Sequence, residues 1–236
     1  MRDHIPRASI HDLTEGAAVV VLAPHPDDES LGCGALLHAA FAGHGARVIC
    51  MTDGGASHPH SAEWPRERLA ELRAAELDAA VKALGGTPTC VTRLGLPDGG
   101  MSGLAGRFEA LAAEVARIAE EAGARVLLSP APTDPHCDHE ATAQIAEIAA
   151  KKAGLRLLYY PVWSLWHDPD FRENLSYSVE FAFDIGSARA AKAAAIAAHR
   201  SQHGQVVADD PGGFVLPEGF VKQFLDGQES YFEAAS

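Results

Sequence analysis

The sequence predicts an α/β domain in which a mostly parallel sheet is covered by helices on both faces. Three observations carry that reading. Short apolar runs alternate with amphipathic helical stretches from Ala17 to Trp163, the rhythm of strands joined by crossover helices. The 236 residues are 47% hydrophobic and 22% charged, ordinary values for one domain with a sizeable core. No internal repeat or low-complexity linker marks a second domain, so residues 1–236 read as one.

Taken in order, Ala17–Ala23 reads as a buried strand and Glu29–Ala42 as a helix ending at Gly43. Arg47–Met51 is a second apolar run, followed by the loop "TDGGASHPHSAEWP". "RERLAELRAAELDAAVKALGG" is a long helix stopped by a glycine pair. "CVTRLGL" is a third strand, Gly103–Ala122 a third helix, "RVLLSP" a fourth strand and "HEATAQIAEIAAKKAG" a fourth helix. "RLLYYPVW" is a fifth strand. Past residue 165 the rhythm weakens, with "SVEFAFDI" as one more strand and "ARAAKAAAIAAHRSQ" as one more helix.

The net charge of −13 argues against nucleic acid or an anionic membrane surface as partner, since both call for a basic face. No apolar run approaches the roughly 18 residues of a membrane span, and "MRDHIPRASIHDLTEG" lacks the apolar block of a secretory leader. The expectation is a cytoplasmic protein acting on a small molecule, with a homo-oligomer left open. The cysteines at 33, 50, 90 and 137 are scattered and read as buried free thiols. Cys137 stands apart because of its neighbours.

The chemistry concentrates at two strand ends. Val19–Ala23 runs directly into His25-Pro26-Asp27-Asp28-Glu29. Adjacent carboxylates beside a histidine repel each other and gain nothing from a core, so a divalent ion, zinc in the first place, would offset the cost. Taken alone, the motif is served equally by a metal and by a helix cap. The end of the fourth strand adds "SPAPTDPHCDHEAT", with His136, Asp138 and His139 in four positions at the same edge of the sheet. Together the two clusters favour the metal.

Other motifs carry less. Gly32 and Gly34 start too late after the strand for a dinucleotide fingerprint and lack its third glycine, since position 37 is Leu37; they fit close packing of the helix on the sheet. No G-x-S-x-G occurs. His199 and His203 have metal spacing without the acid of H-E-x-x-H. His58 and His60 are loop residues. Trp163, Trp166 and Tyr160 serve a substrate wall or the core.

"PHPDDE" and "HCDH", with "RAAELDAAVKALG", "LPDGGM" and "KAAAIAAHRSQ", resemble the LmbE-like, or PIG-L, family of zinc-dependent N-deacetylases over roughly residues 18 to 202. The resemblance implies a Rossmann-like fold with one zinc, another divalent metal being an alternative. It implies His25, Asp28 and His139 as ligands, with water completing the shell, and Asp27 as general base. His136 would steady the oxyanion, as an imidazolium, and Asp138 would orient a neighbouring histidine. Arg73 and Asp98 would hold substrate hydroxyls; otherwise Arg73 pairs with Glu71 or Glu76 on an exposed helix face. Cys137 replaces the usual proline.

The implied function is removal of acetyl from an N-acetylglucosamine-type amino sugar or its conjugate. The alternatives are hydrolysis of a thiol-conjugate or antibiotic-like amide, and a non-catalytic metal- or sugar-binding protein. Asp27 and His136 speak against the last, because mere binding needs neither.

Overall fold

Strand β1 (Ala18–Ala23) is apolar at every position because both of its faces are covered. Val19, Val21 and Ala23 point into one core and Val20 and Leu22 into the other, the period-two alternation of a strand between two helical layers. The computed structural model describes residues 5–235. Its seven-stranded sheet adds β2 (Ala46–Thr52), β3 (Val91–Leu96), β4 (Ala124–Pro130), β5 (Arg156–Tyr160), β6 (Tyr177–Asp184) and β7 (Gln228–Ala234) in the order β3-β2-β1-β4-β5-β7-β6. The first five strands are parallel, and β7 joins β5 and β6 antiparallel.

The helices are α1 (Ile10–Thr14), α2 (Asp28–Ala42), α3 (Arg66–Ala83), α4 (Phe108–Glu121), α5 (Cys137–Ala153), α6 (Ser164–His167), α7 (Phe171–Asn174), α8 (Arg189–Ala198) and α9 (Phe220–Leu225). Leu36 and Leu37 of α2, Leu77 and Val81 of α3 and Ile196 of α8 fill one core. Leu111 and Val115 of α4 and Ile145 of α5 fill the other.

The topology positions the site. The chain steps outward from β1 to β2 and β3, then returns to lay β4 against the other side of β1. The crevice between the carboxyl ends of β1 and β4 is thus the switch point of the sheet, where ligands of open α/β sheets bind. Both chemical motifs open there, one after each strand.

The sheet is mostly parallel as expected, and the final "QESYFEA" adds β7, antiparallel, between β5 and β6. Two finer expectations are corrected. The helix expected from Gly103 begins at Phe108, and Met101–Arg107 instead forms 3₁₀ turns with a break at Leu104. Gly32 does pack against the sheet, since a Cβ there would lie 2.2 Å from the Tyr160 ring, but Gly34 packs against Lys192 of α8.

Helix α2 is also held from its middle. The Glu229 carboxylate accepts from the amides of Ala35 (2.7 Å) and Leu36 (2.9 Å). The carbonyls four residues earlier, Leu31 and Gly32, accept from Lys192 Nζ (2.7 Å) and the Tyr231 hydroxyl (3.4 Å). Lys192 Nζ and Glu229 Oε1 lie 2.6 Å apart, both buried. An ion pair from α8 and β7 thereby clamps the helix whose first turn carries the acidic motif.

Candidate metal and hydrolytic site

The turn after β1 is tied down before any chemistry is considered. Thr52, at the end of β2, donates to the Pro24 carbonyl through its amide (3.0 Å) and hydroxyl (2.8 Å). The His25 amide donates to Asp28 Oδ2 at 2.9 Å. Asp27 then takes φ 147°, ψ −29°, a conformation that non-glycine residues rarely adopt; such strain costs on the order of 1–3 kcal/mol and persists where the surroundings enforce it. Here the Asp27 amide donates to Glu29 Oε2 at 3.0 Å, and the Asp27 carboxylate meets Arg73 Nη2 at 3.2 Å.

Asp28 Oδ2 lies 3.3 Å from His25 Nδ1 and 3.4 Å from His139 Nε2. Neighbouring ligands on a tetrahedral zinc with bonds of about 2.0–2.2 Å are separated by roughly 3.3–3.5 Å. The far side of each ring is already held: His25 Nε2 by Asp138 Oδ2 at 3.1 Å, His139 Nδ1 by Asp134 Oδ2 at 2.8 Å. Both carboxylates only accept, so these nitrogens carry protons, and a neutral ring turns its bare nitrogen inward. His139 Nε2 is buried with no hydrogen-bond partner. These residues fit a divalent cation. His136 also brings a nitrogen within 4.8 Å of His25 and His139, but its Nδ1 accepts from the Asp138 amide at 3.2 Å.

Protonation tells the same story. Burial pushes the pKa of His25 and His139 down, yet the surrounding carboxylates more than reverse it: Asp138, Asp28 and Asp98 raise His25 well above normal, and Asp28 and Asp134 bring His139 to about 9. The cluster therefore gathers cations, protons when nothing else is offered, and a metal would displace them. Burial lifts Asp27 to about 6, with Arg73 opposing and Asp28 reinforcing. Burial also raises Asp28, but the charge and hydrogen bond of His139 win and hold it well below the carboxylate range.

Each expected residue can now be placed. His25, Asp27, Asp28, Asp98, His136 and Arg73 line one cavity of about 290 Å³, and His139 lies behind it, fully buried. Asp98 accepts from the Ala56 amide at 2.9 Å and sits 3.3 Å from His25 Nε2. Asp138 does orient a histidine, but that histidine is His25, across the crevice; Asp138 is itself fixed by the Gly99 and Met101 amides at 2.7 and 3.0 Å.

Without a metal, burial and then the neighbouring His25 and His139 lower the His136 pKa to about 4, which favours the neutral ring over the expected imidazolium. With Nδ1 accepting, the neutral ring carries its proton on Nε2. The exposed-face alternative for Arg73 is corrected as well: Arg73 is buried, with Nη1 on the Gly54 carbonyl (2.9 Å) and Nη2 on the Pro26 carbonyl (2.8 Å), while Glu76 accepts from the Ser201 amide and hydroxyl.

His199 and His203 form no metal pair. His199 Nε2 lies 3.1 Å from Glu29 and His203 Nε2 3.0 Å from the Ile196 carbonyl. His58, a loop residue, is buried, and Cys137 is exposed with its thiol on the Gly99 carbonyl at 3.8 Å. Cys33 and Cys50 are buried free thiols as expected, whereas Cys90 is half-buried.

Two residues were overlooked in the sequence. Asp134 is fully buried and, besides His139, accepts from the amides of Val162, Trp163 and Ser164 and the Ser164 hydroxyl. Its signal is an aspartate in "PTDPHCDH" close to His136, Asp138 and His139. Glu29, which joins Asp27 to His199, reads in sequence as an acidic first-turn residue and nothing more.

Known proteins resemble this chain in sequence and fold. A 1D-myo-inositol 2-acetamido-2-deoxy-alpha-D-glucopyranoside deacetylase from Kineococcus radiotolerans is 37% identical over 83 residues, 33% of this chain and 23% of the relative. That match spans under a quarter of the relative's length. Among solved structures, N,N'-diacetylchitobiose deacetylase from Pyrococcus horikoshii superposes with a TM-score of 0.65 at 19% identity, over 95% of this chain and 86% of that one. The A40926 pseudoaglycone deacetylase Dbv21 gives 0.69 at 22% identity, over 94% and 100%. At such identities the structures attest the fold. The family model for PIG-L, described as GlcNAc-PI de-N-acetylase, matches residues 20–150, more than half of the sequence, and the chain belongs to that family.

Proposed function

We propose that this protein is a metal-dependent hydrolase that removes the acetyl group from an N-acetylated amino sugar of the N-acetylglucosamine type, or from its conjugate. The observation that carries the reading is the meeting of His25 Nδ1 and the unpartnered His139 Nε2 on one oxygen of Asp28, with a second carboxylate, Asp27, free of that cluster. In this reading His25, Asp28 and His139 hold one divalent ion, zinc in the first place. Bound there, the ion would supply Lewis-acid polarisation of the amide carbonyl and a lowered pKa for attacking water.

The chain's own groups do the rest. Asp27, lifted to about 6 by burial, is poised to accept the proton of the attacking water and return it to the departing amine, which otherwise leaves poorly. Arg73 holds the carboxylate that does this, and the hydrogen bond from the Asp27 amide to Glu29 holds its backbone. The neutral His136 donates from Nε2 toward the carbonyl oxygen as it gains charge, a contribution of roughly 3 kcal/mol in comparable sites. Asp138 and Asp134 keep His25 and His139 in one tautomer and one orientation. Asp98 faces the cavity and accepts from substrate hydroxyls in this reading, while Arg73, its two terminal nitrogens engaged, serves Asp27 first.

The relative from Kineococcus and the chitobiose deacetylase carry names of N-acetyl sugars, which supports the sugar, while the A40926 pseudoaglycone deacetylase keeps an antibiotic-like conjugate as the second reading. Acidic composition and unpaired cysteines suit a cytoplasmic setting.

The test is free-amine release from a panel of N-acyl sugars and simple N-acetyl amines, by zinc-loaded and chelator-treated protein. Asp27→Asn should retain the metal and lose about 10²–10⁴ in kcat. Loss of metal from that variant would exchange the roles of the two aspartates, and activity untouched by chelation would refute the metal reading.

A further inference from the structure

Asp27 is gripped at both ends. Arg73 of α3 takes its carboxylate at 3.2 Å, and Glu29 Oε2 takes its amide at 3.0 Å. Arg73 is anchored by the Gly54 and Pro26 carbonyls. Glu29, fully buried in the first turn of α2, grips only as firmly as its other oxygen is held. That oxygen, Oε1, accepts from the Ser30 hydroxyl and lies 3.1 Å from His199 Nε2. Ser30 rides on the same turn as Asp27 and cannot brace it against movement. His199, 170 positions away in the chain, can.

His199 is itself fixed from α3. It caps the end of α8, and two residues later the Ser201 amide and hydroxyl reach the Glu76 carboxylate at 2.8 and 2.6 Å. Arg73 and Glu76 stand one turn apart on α3, and both are buried. One face of α3 therefore reaches Asp27 twice. Arg73 meets the carboxylate directly, and Glu76 works through Ser201, His199 and Glu29 on the amide.

The His199 ring has no other polar duty among the described residues. It is 1% exposed, and its Nδ1 is buried without a hydrogen-bond partner. A histidine kept for the fold satisfies both nitrogens; this one makes its hydrogen bond to Glu29 alone. Glu29 already accepts from Asp27 and Ser30, so Nε2 of His199 carries the proton and donates as well. What Glu29 restrains is unfavourable by itself. Asp27 sits at φ 147°, a conformation that relaxes unless its surroundings enforce it. Relaxation would swing the carboxylate out of the cavity it lines.

We propose that His199 is a positioning residue for the hydrolysis: through Glu29 it keeps the Asp27 backbone in its strained conformation and so aims the carboxylate that takes a proton from the attacking water. In this role His199 moves no proton and meets no substrate, and its effect passes through Asp27. The inference rests on the proposed part of Asp27 as general base, whereas the restraint on its backbone is measured without turnover.

Three variants test it. His199→Phe keeps a ring and removes the donor, His199→Met does so with a more pliant side chain should phenylalanine not fit, and His199→Gln can place an amide nitrogen where Nε2 stood. In zinc-loaded protein, His199→Phe and His199→Met should lower kcat for an N-acetylglucosamine glycoside about 10²-fold. KM and zinc content should change by about twofold at most, and His199→Gln should recover about tenfold of the lost rate. In an Asp27→Asn background, His199→Phe should cost about twofold at most, because the group it acts through is already gone. By NMR, with and without zinc, the Asp27 amide should exchange about tenfold faster in His199→Phe and His199→Met. It should exchange near the wild-type rate in His199→Gln, and the amides of β1 should not respond. An undiminished loss in the Asp27→Asn background, a raised KM in place of a lowered kcat, no rescue by glutamine, or an Asp27 amide as protected in His199→Phe as in the wild type would each overturn the positioning role. Wild-type kcat in Asp27→Asn would instead remove the general-base reading, and amide exchange would still decide whether His199 holds that backbone.

Discussion

Helix α2 touches two buried ionic clusters that obey opposite rules. At its middle, Lys192 meets Glu229, and every charged atom has a partner: the Leu31 carbonyl, the Ala35 and Leu36 amides, and the Tyr231 hydroxyl. Charge is balanced one to one. At its first turn, Asp27, Asp28, Asp98, Asp134 and Asp138 face one arginine and three histidines. Asp27 there is strained, and His139 Nε2 has no partner. A buried ionic group that serves the fold is saturated by it, whereas one that serves a ligand is left incomplete. The difference is legible because both clusters lie on one helix, at similar depth.

Breaking the saturated cluster should have the largest effect. Lys192→Met leaves Glu229 charged, buried and short of its cation, and should cost about 3–5 kcal/mol in a urea melt. Metal binding per folded molecule should be unchanged. If the variant unfolds like the wild type, the pair is not the clamp on α2 that it resembles.

The incomplete cluster should respond to what it lacks. Zinc at a hundredfold excess over its Kd should stabilise the native state by about 2.7 kcal/mol, read as a rise in Tm. His139→Ala should lose that rise, and Lys192→Met should keep it. A rise retained in His139→Ala would place the metal elsewhere.

The smallest effect has the opposite sign. The Asp27 carboxyl binds its proton more tightly folded than unfolded, at about 6 against about 4. Its ionisation therefore costs the metal-free fold stability as pH rises from about 4 to 6, with no further change above. Asp27→Asn removes that cost, and asparagine tolerates positive φ. The metal-free variant should be more stable than the wild type by on the order of 1–2 kcal/mol at pH 7, and by little at pH 4. A gap that does not grow with pH would mean that Asp27 is not held as the structure implies.

Much of this was legible in the sequence. The first five strands and the helices between them follow from local apolar periodicity, and the two clusters lie at strand ends that any parallel sheet brings to one edge. The antiparallel return was not. "QESYFEA" has few residues and alternates weakly, and its place beside β5 depends on pairing across more than 70 residues of chain.

Within the site, the sequence by itself determined which residue types meet: histidines and aspartates in two short motifs, each aimed by a strand-to-helix turn. Tertiary structure alone decided their division of labour. Whether Asp134 or Asp138 holds a given histidine depends on which ring nitrogen faces it across the crevice. Burial and the two neighbouring imidazoles lower the His136 pKa, and its Nδ1 accepts from the Asp138 amide. Arg73 braces Asp27 rather than facing solvent because α3 is buried on that side. Residue chemistry is local and can be read along the chain; protonation, tautomer and partner are set by desolvation and by groups up to 170 positions away, which only the folded molecule brings together.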